Sequence, residues 1–274
     1  MSSDVRVLVL TGYGLNCDCE TAHAFELAGA ESHRVHINSL IDGSVHPDDF
    51  QIMVFGGGFS WGDDHGAGVI QAVRMRTNIG DQLLSFVNRG NLVLGICNGF
   101  QTLVNLGLLP GIDGDYTTRS VALTHNDCGN FRDDWVSLKT NADSPCVFTK
   151  GIDRISLPIR HGEGKFYTDA ATLARLVEKN QVVFRYALPD GAVADGKFPF
   201  NPNGSMEDVA GICDTTGRIF GLMPHPEADH HVTNQPDWTR KKEREKRGDR
   251  DENSDPKGIK LFENAVNHIR SNPA

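Results

Sequence analysis

The sequence predicts an α/β fold: a doubly wound, mostly parallel central sheet flanked by helices, with antiparallel additions in its C-terminal half. Three observations carry this expectation. Up to about residue 125, short apolar and β-branched runs alternate with stretches of helical spacing, the pattern of strand–helix–strand crossovers between parallel strands covered on both faces. From about residue 119 onward, short strand-like runs separated by turns follow instead. Across 274 residues, 39% are hydrophobic, enough to bury a core without disulfide staples.

In order, residues 5–10 are apolar and β-branched and stop at Thr11-Gly12, so they read as a strand. Residues 18–28 have helical spacing, with Asp18 placed to cap the N-terminus. Strands are expected at 33–37 and 52–55. Between 71 and 88 the apolar residues Ala72, Met75, Ile79, Leu83 and Val87 recur at helical intervals. Residues 91–96 then form a buried strand, and 99–106 a helix closed by Gly107 and Pro110. Short strands are expected at 121–123, 135–138, 155–159, 182–186, 209–212 and 219–223. A last amphipathic helix over 257–270 puts Ile259, Phe262, Val266 and Ile269 on one face.

Nothing resembling a linker divides the chain, so 1–274 reads as a single domain. Residues 237–257 stand apart: a run from Arg240 to Arg247 rich in Lys, Arg and Glu, then Gly248 and an acidic stretch through Asp255. One reading is a solvated helix end with a mobile loop; the other is a docking or lid segment against a partner. The net charge of −9 argues against nucleic acid as the main ligand. The start, Met-Ser-Ser-Asp-Val-Arg, lacks the pattern of a secretory signal, and no stretch approaches the roughly 20 apolar residues of a membrane helix. A cytoplasmic location follows by default, and the six cysteines then read as thiols.

One thiol stands where a nucleophile would. Leu94-Gly95-Ile96-Cys97-Asn98-Gly99-Phe100-Gln101 sets Cys97 between a buried strand and a helix, a tight turn that projects its side chain. Gly95 and Gly99 flank it at two residues on either side, where a side chain would meet neighbouring backbone. The helix N-terminus favours thiolate and supplies N–H groups for an oxyanion. A small buried cysteine in a strand–turn–helix is also an ordinary packing residue, and the spacing leaves both readings open. Met223-Pro224-His225-Pro226-Glu227 tilts the balance: in an extended segment His225 and Glu227 face the same way, as an imidazole and the carboxylate that orients it. Gly56-Gly57-Gly58-Phe59-Ser60, directly after a strand, suits an oxyanion hole and does not fit a dinucleotide fingerprint. Cys17, Cys19 and His23 are close in sequence but lack metal-site spacing, so no metal is expected; Cys128, Cys146 and Cys213 read as packing residues.

Together these motifs resemble the class I glutamine amidotransferases, and within them the glutaminase subunits of phosphoribosylformylglycinamidine synthase. Gly57-Gly58-Phe59-Ser60-Trp61-Gly62-Asp63 is similar to that family's GGFSYGD loop, and Asn98-Gly99-Phe100-Gln101 matches the segment that distinguishes it from other class I members. His161-Gly162-Glu163-Gly164-Lys165-Phe166, Asn201-Pro202-Asn203-Gly204-Ser205 and Met223-Pro224-His225-Pro226-Glu227 complete five motifs in register. The resemblance implies glutamine as substrate, a Cys97–His225–Glu227 triad, oxyanion donors at Gly57, Gly58 and Asn98, and Gln101 at the amino-acid end of glutamine. It implies no cofactor on this chain, with ATP and Mg on a larger synthetase subunit that uses the ammonia in purine synthesis, and a small bridging subunit beside it. Another ammonia acceptor, or a stand-alone cysteine hydrolase, is the alternative. The chain departs from the family at Tyr13, at Ala228 and in the length of its charged segment. The first two leave the triad intact; the third bears on the partner interface.

Overall fold

The computed structural model describes residues 5–249 and 256–272. Among them the strands are β1 (Arg6–Thr11), β2 (Glu31–His36), β3 (Ile52–Phe55), β4 (Leu92–Ile96), β5 (Ala122–Thr124), β6 (Arg132–Thr140), β7 (Arg154–His161), β8 (Lys165–Tyr167), β9 (Val182–Ala187), β10 (Val209–Cys213) and β11 (Ile219–Leu222). The α-helices are α1 (Asp18–Leu27), α2 (Ile37–Ile41), α3 (Val69–Asn88), α4 (Asn98–Leu106), α5 (Ala170–Glu178), α6 (Trp238–Lys246) and α7 (Ile259–Ser271).

Nine strands form one sheet in the order β2-β1-β3-β4-β11-β10-β9-β6-β7. The run from β2 to β11 is parallel. From β11 to β7 every pairing is antiparallel. β5 and β8 make a separate antiparallel ribbon. The expected plan therefore holds. Its burial explains the sequence pattern: β4 is buried at all five positions because both faces are covered, so it reads as a continuous apolar run. β6 buries only alternate residues, Val136, Leu138 and Thr140, and reads as an interrupted one.

β1 lies between β2 and β3, so the chain winds outward in both directions from it. Right-handed crossovers then place α1 on one face and α3 on the other. α7 packs on α1 through an edge-to-face contact of Phe25 and Phe262, centroids 4.9 Å apart, and α4 packs beside α3.

Several local expectations change. Asp18 is not the cap of α1: Cys17 holds that position with no side-chain cap bond, and Asp18 opens the helix paired with Arg34 at 3.1 Å. The strand expected at 33–37 is β2, shifted earlier, because His36 instead caps α2, its Nδ1 accepting the Asn38 N–H at 3.1 Å. Neither α5 nor β8 is anticipated by the sequence reading, although Asp169 is a regular N-cap for α5, accepting from the N–H groups of Ala171 and Thr172 at 2.9 Å each. In the charged segment, α6 is a mostly solvated helix with no buried residue, only Trp238 and Lys241 being half-buried; residues 250–255 of that segment lie outside the described ones. No described helix is long and apolar enough to cross a membrane.

Candidate active site

The register of β11 against β4 brings distant parts of the chain together. Leu222 lies opposite Ile96, so the segments leaving the two strands emerge side by side. Cys97 donates its N–H to the Leu222 carbonyl at 2.8 Å, and His225 follows three residues later. Cys97 adopts φ 50° and ψ −107°, a strained conformation for a residue with a side chain, and immediately precedes α4. The flanking glycines have specific reasons to be there. A Cβ on Gly99 would sit 1.8 Å from the Phe55 carbonyl oxygen, and one on Gly95 would sit 2.9 Å from Gly99 backbone.

His225 is buried, its N–H donating to the Pro158 carbonyl at 2.8 Å. Its Nδ1 lies 2.6 Å from Glu227 Oε1, and the two side chains are only 2% and 1% exposed. The contact is not made by an extended segment, as the two-residue spacing suggested. His225 is extended, but Pro226–Ala228 is a 3-10 turn that swings the carboxylate back under the ring. Burial opposes protonation of His225 and is the largest influence on it. The Glu227 carboxylate together with the Cys97 and Cys17 thiols outweighs burial and raises the imidazole well above its ordinary value. With Nδ1 held by Glu227, Nε2 is buried without a hydrogen-bond partner among the described residues.

The glycine loop meets this histidine. A Cβ on Gly57 would come within 2.7 Å of His225 Cε1, and Gly58, at φ +142°, packs against the backbone of residues 14–16. The Gly57 carbonyl accepts the N–H groups of Asn16 and Cys17 at 3.4 and 3.3 Å, strapping the loop after β1 onto the loop after β3. Asn98, fully buried, ties the nucleophile turn to this loop: its Nδ2 donates to Asp63 Oδ1 at 2.9 Å and to Gln101 Oε1 at 3.2 Å. Gln101 Nε2 donates to the Glu163 carbonyl. Glu163 in turn accepts the Ala67 N–H at 3.1 Å. Burial first, then the charge of Glu163, lift the Asp63 carboxyl to about 6.

All seven residues singled out in the sequence thus fall in one neighbourhood: Cys97, His225, Glu227, Gly57, Gly58, Asn98 and Gln101. Five further residues sit with them or directly behind them that sequence reasoning left without a role. His161 is buried, its pKa held at about 3 by burial and by the charge of His225. Its Nδ1 lies 3.1 Å from Asn126 Oδ1, and its ring fills the place a side chain on Gly164 would need. His161 and Glu163 belong to a motif quoted above, and Asp63 ends another. Cys17 had no local signal: its Sγ is 4.0 Å from His225 Nδ1 only because the loop after β1 folds over the site. Asn203 explains the fourth motif, donating to the Gly164 carbonyl at 2.8 Å and to the Tyr186 hydroxyl at 3.1 Å, which props the 161–164 turn from behind.

The cysteine–histidine grouping weighed in the sequence separates. Cys19 is exposed against Arg34, and His23 faces Glu26. Cys146 and Cys213 are packing residues, but Cys128 is half-exposed in a turn, its thiol directed to Asn130. A cleft of about 470 Å³ is lined by residues such as Trp135, Arg154 and Lys241 and includes none of Cys97, His225 or Glu227. The convergent polar groups gather at the buried elbow and not in that cleft.

A cysteine on a strand–helix elbow, a histidine–carboxylate pair and a glycine loop on the parallel half of the sheet are the marks of the amidotransferase class. A family profile described as a CobB/CobQ-like glutamine amidotransferase domain matches residues 4–269. Within that class the chain belongs to the phosphoribosylformylglycinamidine synthase subunit PurQ family. It is 49% identical over 265 residues to that subunit from Methanococcus maripaludis, covering 96% of this chain and 97% of the relative. It is 44% identical over 268 residues to the one from Dehalococcoides mccartyi, covering 98% and 99%. Among solved structures it resembles a chain in the structure of PurLQS from Thermotoga maritima, with TM-score 0.70 and 30% identity over 97% of this chain and 100% of that one. A glutamine amidotransferase from the same organism, at 16% identity and TM-score 0.52 over 98% of this chain and 99% of that one, shares the fold.

Proposed function

We propose that the chain is a single glutaminase domain that hydrolyses glutamine to glutamate and ammonia through Cys97, His225 and Glu227. The ammonia passes to a synthetase subunit that converts formylglycinamide ribonucleotide to formylglycinamidine ribonucleotide with ATP. The observation that carries the chemical part is the pairing of β11 with β4, which sets the Cys97 elbow beside the His225–Glu227 pair.

In this reading His225 Nε2 takes the Cys97 proton as the sulfur attacks the side-chain amide carbon of glutamine. The N–H groups of the Gly57–Gly58 loop and of Asn98, at the positive end of α4, hold the oxyanion. Glu227 stabilises the imidazolium, which passes its proton to the departing nitrogen, and ammonia leaves behind a glutamyl thioester. His225 then deprotonates a water that releases glutamate. Gln101, with the carboxylates of Asp63 and Glu163 beside it, receives the amino-acid end: an ammonium there relieves the repulsion that raises Asp63.

Ammonia is mostly protonated near neutral pH and then not nucleophilic, so a shielded path to the acceptor is chemically useful. The relatives' naming as synthase subunits and the likeness to a chain of PurLQS support a larger synthetase partner, carrying ATP and Mg, and a small bridging subunit. A glutamine analogue bearing an electrophile is expected to label Cys97 in one-to-one stoichiometry and leave Cys97→Ala unlabelled; labelling elsewhere overturns the nucleophile. Glutaminase turnover is expected to rise when the synthetase subunit is added, and equal rates overturn the partnership.

A further inference from the structure

Cys17 is not used by this mechanism, yet it completes a second constellation around the same histidine. Cys17 Sγ, a ring nitrogen of His225 and a carboxylate oxygen of Glu227 all lie within 4.8 Å of one another, and all three residues are buried. Two features point to a ligand. Glu227 spends Oε1 on His225, while its Oε2 is buried with no hydrogen-bond partner among the described residues. The Cys17 thiol has only long contacts, 3.5 Å to Asn16 Oδ1 and 4.0 Å to His225 Nδ1. We propose that Cys17, His225 and Glu227 form an inhibitory site for a soft divalent cation of the zinc type, which switches the glutaminase off by capturing the back of the catalytic imidazole.

The donor set is one sulfur, one imidazole nitrogen and one carboxylate oxygen, which suits zinc or cadmium and not magnesium. Tetrahedral zinc bonds of about 2.3 Å to sulfur and about 2.0 Å to nitrogen place those donors about 3.6 Å apart. The observed 4.0 Å between Sγ and Nδ1 is close to that, so a small closing movement suffices. The 2.6 Å between Nδ1 and Oε1 must open as the cation replaces the proton between them. Water or Asn16 Oδ1, beside the sulfur, can supply a fourth position. Binding releases the Cys17 thiol proton and shifts the ring's single proton from Nδ1 to Nε2, so affinity rises with pH. The captured imidazole keeps that proton on Nε2, facing Cys97, where it can no longer accept the nucleophile's proton. Gly57 makes the arrangement feasible: any side chain there would occupy the space between the ring and Cys17.

The inhibition rests on His225 acting as proton carrier, but binding does not, and the two are tested apart. Binding is read in the full-length Cys97→Ala chain, which needs no turnover, by titrating cadmium and following its thiolate charge-transfer absorption. One saturable equivalent is expected, absent when Cys17→Ser or Cys17→Ala is added and unaffected by excess magnesium. A band that persists without Cys17 comes from another thiol and overturns the site. Zinc should also raise the melting temperature of Cys97→Ala, and not that of either double variant; equal shifts overturn the proposal. Inhibition is read with Cys97 intact: Cys17→Ser should need at least about tenfold more zinc for half-inhibition. Equal sensitivity, with cadmium binding still dependent on Cys17, overturns the inhibitory role alone.

Discussion

Asp63 is a carboxyl in an awkward place: burial and the charge of Glu163 hold it at about 6 against an ordinary 3.8. Raising an acid's pKa means the folded state binds its proton more tightly than the unfolded chain does. The stability contributed by the protonated form is therefore full below about 3.8 and is lost as pH rises through about 6. In the proposed mechanism an ammonium from the substrate reverses this, because it favours the ionised carboxylate. The KM for glutamine is thus expected to rise several-fold as pH falls through about 6, while Asp63→Asn raises KM at neutral pH and flattens the dependence. A profile unchanged in Asp63→Asn would remove Asp63 from the amino-acid end of the site. The residues of the proposed triad were legible in the sequence because each sits on a motif with its own geometric logic: Cys97 between two glycines, His225 two places from Glu227. Cys17 was not, since its contact with the imidazole is made across a loop that local spacing does not describe.

At the scale of elements, α7 shows how a terminal helix is held. Its apolar face was read from sequence, and the structure sets that face on α1, with Phe25 and Phe262 both fully buried. Phe262→Ala is expected to cost about 3–5 kcal/mol in denaturant unfolding, the usual range for deleting a core aromatic ring. α6 is the contrasting case. Arg247→Ala removes an exposed pair with Glu243 and should change stability by about 0.5 kcal/mol or less. A loss near zero at Phe262 would mean that α7 is not docked in solution as described. The central strands were readable because burial on both faces makes them continuously apolar. β8 was not, since three residues, of which only Phe166 is buried, carry no recognisable period.

Across the whole molecule, two buried histidines of opposite character bias stability with pH. His161 is held neutral, its pKa lowered to about 3 from 6.5, so the unfolded chain takes the proton first. Its contribution is present above about 6.5 and is lost as pH falls toward about 3. His225 is raised, so its contribution is full below its unfolded value and lost as pH climbs through its folded one. His161→Gln is therefore expected to flatten the fall of unfolding free energy between pH 6.5 and 3, whatever it does to the absolute value. An unchanged slope in urea titrations across that window would show that another group drives acid unfolding.

The sequence by itself determined the α/β class, the parallel half of the sheet, the cysteine elbow and the histidine–carboxylate pair. Each depends on residues a few positions apart, where periodicity, glycine sterics and helix dipoles act. The tertiary structure alone decided that β11 inserts beside β4 and joins two segments 128 residues apart (Cys97 to His225), because strand pairing over such distances leaves no local trace. It also decided that Cys17 stands behind the imidazole, since the Gly57 carbonyl straps the first loop over the site. Short-range forces chose the chemistry, and long-range register brought it together.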